Sequence, residues 1–380
     1  MKRKPIAIDL FSGCGGISTG LLDAGIPVVA GFDHDRRSIE GFDYNHQYRG
    51  CRGFVADLGS LSGEDLLRLA QVKRVDLVVG GPPCQAFSIA GKQKGLDDHR
   101  GGLVFHFARL VGELQPEAFM FENVPNLEAF GGGQLFGQVL DALRAHGYTI
   151  QYKVLFAPDY GVAQMRKRLV VVGVRDKQSF TFPPEPTHGP VDSLDLFGQH
   201  APYLTCRDVL SDLPDVDSPE AADIPNHEPT LHSAAMLEAF AVLEPGKRDK
   251  KSFHDRLHPD RPSYTLRAGT GNFSPLRPVH YEYHRVITVR ESARIQGFAD
   301  NFIWPDSIPR LQQYRQVGNA VPPPLAQAVG RSIAAQLGWR VDVESTRGDS
   351  SSREPHATKS LEEKMAERLR RTRGASLGGF

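Results

Sequence analysis

Up to residue 175 the chain alternates short, unbroken apolar runs with longer stretches whose apolar positions recur every three or four residues. The unbroken runs predict strands at Ile6–Phe11, Pro27–Asp33, Gly53–Asp57, Val75–Gly81, Ala118–Val124, Thr149–Ala157 and Leu169–Val174. The periodic stretches predict helices at Ile17–Ala24, Arg36–His46, Gly63–Leu69, Leu103–Leu114 and Gln134–His146. Strands that are apolar at consecutive positions must be covered on both faces, and their alternation with helices indicates a parallel sheet. The expected fold is therefore α/β, a doubly wound, mostly parallel sheet whose ligands sit beyond the carboxyl ends of the strands. After Arg175 the rhythm breaks into a Pro-rich, irregular stretch that runs from Phe182 to about Pro262, with a helical period only around Ser233–Leu243. Helices return at Val289–Gln296 and at Pro322–Leu337, the latter with prolines in its first turn. The pattern divides the chain into an α/β domain (1–175), a smaller, loop-rich domain (176–284), a segment returning to the first domain (285–340) and a polar tail (341–380) not expected to pack. Within the tail, Leu361–Thr372 has the pattern of a short basic helix.

Composition narrows the class. Glycine and proline account for 38 and 27 of the 380 residues, below the roughly one quarter that marks a low-complexity chain. No apolar run reaches the roughly 18 residues of a membrane span, and none of Cys14, Cys51, Cys84 and Cys206 stands in the spacing of a zinc site or disulfide framework. A soluble protein of a reducing compartment, without membrane or metal, is expected. The charge is balanced, 45 basic against 45 acidic residues, but unevenly spread. Residues 208–244 hold nine carboxylates and no lysine or arginine, whereas 245–290 hold ten basic residues and four acids. Such blocks allow one face to meet phosphates while the total stays neutral, although plain solvated surface accounts for them equally well.

The candidate chemistry lies at the predicted strand ends. The first strand runs into Asp9-Leu10-Phe11-Ser12-Gly13-Cys14-Gly15-Gly16 before a helix, a turn that brings backbone N–H groups close to a ligand. Its spacing is not the GxGxxG of a dinucleotide site. With Asp33 and Asp57 closing the next two strands, Asp9 is expected on the same sheet edge, a set that fits a nucleoside ligand without a diphosphate, or simple capping of the edge. The fourth strand enters Gly80-Gly81-Pro82-Pro83-Cys84-Gln85-Ala86-Phe87-Ser88, placing a thiol either in a reactive loop at the crevice or in the core. Glu122-Asn123-Val124 closes the fifth strand, and Gln164-Met165-Arg166-Lys167-Arg168 precedes the seventh, so nucleophile, acid and guanidinium are expected at one crevice.

At this point the chain resembles the bacterial-type DNA (cytosine-5)-methyltransferases. The matching blocks are Asp9–Gly16, Gly81–Ser88, Glu122–Val124, Gln164–Arg168, Arg261–Ala268, Arg290–Phe298 and Gln316–Pro323, in the family's order across roughly residues 6–335. The resemblance implies an S-adenosylmethionine-dependent methyltransferase fold with a target-recognition domain in the loop-rich region. It implies Cys84 as the thiolate that adds to carbon 6 of a flipped cytosine and Glu122 as the group that hydrogen-bonds or protonates ring nitrogen 3. Arg168 orients the base, with Arg166 and Gln164 supporting the pocket. For S-adenosylmethionine, the resemblance assigns Phe11, Gly13, Gly15 and Gly16 to the cradle, Asp33 to the ribose, and Asp57 and Leu58 to the adenine. Pro83, Leu103, Asn319 and Val321 complete that pocket. His34 stands where the family commonly places a bulky aromatic against adenine, and its ring can still stack there.

The same resemblance implies double-stranded DNA as partner, monomeric action in the bacterial cytoplasm or nucleoid, and room for a cognate restriction endonuclease as a functional companion. Sequence reading would fall in 176–260, with Arg248, Lys250, Lys251 and Arg256 as candidates for bases or phosphates. Two alternatives stand beside this reading. An RNA (tRNA) cytosine-5 methyltransferase shares the chemistry, but Ala86-Phe87-Ser88 after Cys84-Gln85 departs from the Pro-Phe-Thr of that branch. A non-catalytic DNA-binding module of the same fold would be expected to have lost Cys84, Glu122 or Arg168, and all three are present.

Overall fold

A computed structural model of the chain describes residues 4–83, 102–177, 179–190, 200–269 and 276–344. Its elements follow the apolar rhythm closely. The first half runs β1 (Ala7–Leu10), α1 (Gly16–Asp23), β2 (Val28–Asp33), α2 (Arg36–His46), β3 (Arg52–Val55), α3 (Gly63–Leu69), β4 (Leu77–Gly80), α4 (Gly102–Leu114), β5 (Ala118–Asn123), α5 (Asn126–Ala129), α6 (Gln134–Arg144), β6 (Tyr148–Phe156) and β7 (Lys167–Arg175). The seven strands form one sheet in the order β3-β2-β1-β4-β5-β7-β6. Six strands are parallel to one another and β7 alone runs against them, between β5 and β6. The exception has a plain cause. A parallel return needs a crossover of a dozen residues or more, usually a helix, whereas β6 and β7 are separated by ten residues holding one short 3-10 turn, Ala157–Tyr160.

The strand order reverses between β1 and β4, which opens a crevice at their carboxyl ends. Alternating side chains feed two separate cores. Ile8, Leu10, Val78, Phe119, Phe121, Leu169 and Val171 face α4 and α6, while Ala7, Leu77, Val79, Met120, Val170 and Val172 face α1.

The remainder contributes α7 (Cys206–Leu210), α8 (Ala234–Val242), α9 (Val289–Gln296), α10 (Arg310–Asn319) and α11 (Pro323–Leu337). The expected return of 285–340 to the sheet is divided. α11 packs on α1 through Leu325, Val329 and Ile333. By contrast, α9 and α10 share a third core with 206–281, in which Ile287, Ile295, Trp304 and Val317 meet Cys206, Leu257 and Tyr281. α9 is fixed at its start by a Thr288–Glu291 capping box and at its end by Gly297 in the left-handed region. Residues 341–344 lie beside the first domain, with Asp342 N–H donating to Gly25 O and its carboxylate 3.5 Å from Lys4. Residues 345–380, including the Leu361–Thr372 pattern, lie outside the described residues.

Candidate active site

One side of the crevice is the Phe11–Gly16 turn. Phe11, Gly13 and Gly15 all adopt positive φ, at 57°, 55° and 94°. Packing explains two of the three glycines: a Cβ on Gly15 would lie 2.3 Å from the His46 ring, and one on Gly16 would lie 2.3 Å from Val321 O. Gly13 differs, because a Cβ there would meet nothing within 4 Å among the described residues. Its backbone faces open crevice, and its N–H donates to Asp33 Oδ2 at 2.9 Å. Beside it the Ser12 hydroxyl is buried with no partner among the described residues.

Asp33 closes β2, nearly buried, and its Oδ1 accepts from Asp35 N–H at 2.9 Å. A carboxylate offers about four lone-pair sites, and Gly13, Asp35 and His34 take three of them, so about one remains for a ribose-type hydroxyl. His34 is largely exposed, with Nδ1 3.2 Å from Asp33 Oδ1, and that hydrogen bond raises its pKa. Asp57 lies exposed beyond β3 and accepts from Gly59 N–H at 2.9 Å. Leu58 turns into the core, its carbonyl taking Arg109 at 3.0 Å. Leu103, in the first turn of α4, and Pro83 are half-buried, Val321 is buried, and Asn319 is exposed. His106 of α4, which carried no sequence signal, stands beside Asp57 and Gly59. These groups suit S-adenosylmethionine: an open glycine turn at a helix N-terminus, an unpartnered hydroxyl and a carboxylate with a spare acceptor site.

The expectation for Asp9 needs correction. β1 continues to Leu10, so strand alternation turns Asp9 inward beneath α1, where it is fully buried and accepts from the Ser18 hydroxyl at 2.7 Å. Burial pushes its pKa up to about 7. Only Asp33 and Asp57 remain of the three acids expected on the rim.

The other side of the crevice is built from β4, β5 and β7. Antiparallel pairing sets Glu122 opposite Val170 and Asn123 opposite Leu169, which brings Arg168 to the Glu122 side chain. Arg168 Nε lies 2.8 Å from Glu122 Oε1, with both side chains nearly buried. Burial raises the Glu122 pKa, opposed by the charges of Arg168 and Arg166. The Gly81 backbone runs directly against this carboxyl, since a Cβ there would come 3.0 Å from Glu122 Oε2. Asn123 Nδ2 holds the adjoining Pro82 carbonyl at 3.0 Å. Cys84, two residues beyond Pro82, lies outside the described residues, as do Ala86, Phe87 and Ser88. The other three cysteines are buried, and burial pushes Cys14 and Cys206 up to about 12 and Cys51 well above its ordinary value. None of those three is available as a thiolate near neutral pH.

Gln164 and Arg166 are fully buried behind this pair. Arg166 donates to the carbonyls of Leu266 (3.2 Å), Gly318 (2.8 Å) and Ala320 (3.2 Å). Gln164 Oε1 accepts from Leu266 N–H at 3.0 Å, and its Nε2 donates to Gln296 Oε1 at 2.5 Å. The two side chains therefore tie the start of β7 to the 263–268 segment and to the 318–320 turn. Gln296 belongs to this knot, although its block suggested no role for it.

Of the candidates for contact with nucleic acid, Lys250 and Lys251 are exposed. Arg248 is exposed but held in a two-pronged pair with Asp255, at 2.6 and 3.1 Å. Arg256 is corrected outright. It is 5% exposed, and its guanidinium is spent on the carbonyls of Phe240, Leu243, Tyr281 and Glu282, closing the end of α8 inside the small unit.

Comparison with known proteins converges on one group. Residues 6–335 match the family described as C-5 cytosine-specific DNA methylase. The type II methyltransferase M1.HphI of Haemophilus parahaemolyticus is 35% identical over 341 residues, covering 86% of each chain. M.XorII of Xanthomonas oryzae, also a type II methyltransferase, is 36% identical over 381 residues, covering 88% of this chain and 85% of the relative. Among solved structures, a protein described as a prophage-encoded DNA modification methyltransferase of Escherichia coli superposes with a TM-score of 0.73 at 28% identity, covering 88% of this chain and 99% of the other. The Dnmt2 methyltransferase of S. pombe shares the fold, with a TM-score of 0.61 at 19% identity and coverage of 88% and 98%.

Proposed function

Because the chain belongs to the C-5 cytosine-specific DNA methylase family and is a DNA (cytosine-5)-methyltransferase, we propose that it methylates a flipped-out cytosine in duplex DNA through the crevice between the Gly-rich turn and the Glu122–Arg168 pair. The observation that carries this reading is the buried Glu122 carboxyl, paired with Arg168 and faced by the Gly81 backbone three residues before Cys84.

The Cys84 thiolate adds to carbon 6 of the ring, forming a C–S bond and pushing an electron pair towards carbon 5. Glu122, whose raised pKa favours its protonated form, donates to ring nitrogen 3 as the adduct forms. Arg168 holds the carboxyl in place and balances it when it is ionised. S-adenosylmethionine, when bound, supplies the methyl group that carbon 5 takes up. A base then removes the carbon-5 proton, the electron pair returns to expel Cys84 as thiolate, and ring nitrogen 3 gives its proton back to Glu122, regenerating the ring and the acid. Gly13, Gly15, Gly16, Phe11 and Asp33 hold the cofactor against the crevice, with Asp57, Leu58, His34, Pro83, Leu103, Asn319 and Val321 around its adenosine.

In this reading 1–175 with α11 is the catalytic body and the 176–284 unit, with α9 and α10, reads the DNA sequence. Monomeric action in the cytoplasm accords with the reading; no helix among the described residues is long and apolar enough to cross a membrane. A cognate restriction endonuclease, the usual companion of a type II methyltransferase, fits as a functional partner. The deciding assay is transfer of labelled methyl from S-adenosylmethionine to unmethylated duplex DNA, with tRNA in parallel, followed by nucleoside analysis. Label in 5-methyldeoxycytidine, abolished by Cys84→Ser, is expected. Label only in RNA, or full turnover by Cys84→Ser, would overturn the reading.

A further inference from the structure

The chain holds a fully buried amide, Gln296, at the meeting point of the two halves of the crevice, and the reaction as described leaves it without a task. Its orientation follows from its neighbours. Gln164 Oε1 is already committed to Leu266 N–H, so the amino end of Gln164 faces Gln296 and must meet an acceptor. The oxygen of Gln296 therefore points at Gln164, and its own amino group donates to Ala320 O. Ala320 precedes Val321, whose carbonyl packs against Gly16 at the start of α1. On the opposite side, Gln164 is two residues from Arg166 and four from Arg168, the partner of Glu122. One side chain thus spans from the wall of the cofactor cradle to the wall of the target-base pocket.

Arg166 donates to Gly318 O and to the same Ala320 O, and its Nε has no partner among the described residues. Gly318 cannot yield, since a Cβ there would lie 2.8 Å from the backbone at Arg267 and Ala268. The Ala320 carbonyl thus has two side-chain donors, and Gln296 is the one that links it through Gln164 to the start of β7.

We propose that Gln296 is a positioning residue for the cofactor, holding the Asn319–Val321 turn against Gly16 by way of Gln164. The proposal rests on the crevice beside Gly13 being the cofactor site. The test measures binding of S-adenosylhomocysteine to the full-length protein by calorimetry, for Gln296→Met, Gln164→Met and the double variant. Each single change should weaken binding about tenfold, and the double variant should be no weaker than the worse single, because the two amides act through one another. Gln296→Asn keeps the polar groups but is too short to bridge both partners, so it should weaken binding in the same sense if the methionine variant fails to fold. Leu143→Ala, a core cavity in α6 remote from the crevice, supplies a variant of comparable thermal loss whose ligand affinity should not change. Affinity unchanged in Gln296→Met, or falling equally in Leu143→Ala, would reduce Gln296 to plain packing. A multiplied, hundredfold loss in the double variant would show that the two residues act independently and also overturn the proposal. Calorimetry needs neither DNA nor turnover, so failure of the wild type to methylate DNA would count against the proposed function and leave this test standing.

Discussion

Gly13 and Gly16 stand three residues apart in one turn, yet alanine should act differently at each. At Gly16 the new methyl would sit 2.3 Å from Val321 O and 3.1 Å from Ala320 Cβ. An ordinary contact needs about 3.5 Å, so the backbone of the turn would have to retreat by about 1 Å against Arg166 and Gln296. Forcing volume into packed backbone of this kind costs about 1–3 kcal/mol. At Gly13 no described residue lies within 4 Å of the new methyl, and the cost is the positive φ of 55°, about 1–2 kcal/mol for an L-residue. One kcal/mol moves Tm by about 2–4 °C or less in a chain of this size. Gly13→Ala should therefore lower Tm by a few degrees, and Gly16→Ala by as much or more. The distinction lies in binding. The Gly13 methyl occupies the space that a ligand needs to reach the backbone, and losing one such close contact, about 1–3 kcal/mol, corresponds to a hold on S-adenosylhomocysteine about 5- to 150-fold weaker. Calorimetry and thermal melts on the same samples read both quantities. If Gly13→Ala binds the ligand as the wild type does, the cofactor does not lie over Gly13, and the assignment of this turn is wrong.

Three further outcomes follow from the same geometry. Glu122→Gln keeps an acceptor for Arg168 and an N–H for ring nitrogen 3 but cannot transfer a proton, so kcat should fall by about 10²–10⁴ with folding retained; in the wild type kcat should decline as pH rises through the raised Glu122 pKa, and a flat profile would count against proton donation. For Asp9, the folded chain keeps a proton, up to about pH 7, that an ordinary carboxyl of pKa 3.8 releases. Stability should therefore fall as pH rises from about 4 to 7, and the difference in Tm between wild type and Asp9→Asn should change over that range; a constant difference would refute the raised pKa. Arg256→Ala should destabilise the small unit by about 2–4 kcal/mol, because four carbonyls lose their donor, whereas Lys250→Ala should leave Tm unchanged and reduce the salt dependence of DNA binding by about one unit of slope. Reversed behaviour of these two would restore Arg256 as a DNA contact.

The apolar pattern determined most of the first domain. Seven strands and five helices fall within a few residues of their expected limits, because a strand buried on both faces and a helix buried on one leave local periodicities that nothing else produces. The Gly-rich turn, Asp33 and Glu122 were equally legible, since residues at the carboxyl ends of parallel strands share one edge whatever the distant packing. The sequence could not decide the direction of β7, which depends on the length of a connection and on the space left between β5 and β6. Nor could it decide which charges are spent inside. Asp9 and Arg256 look like surface groups in the sequence, and one lies beneath α1 while the other closes α8, because strand alternation and helix ends claim polar groups that composition alone assigns to solvent. The knot of Gln164, Arg166 and Gln296 joins positions up to 132 residues apart. No local pattern records such a contact, and only the folded chain, in which every buried amide must find its partner, brings these three together.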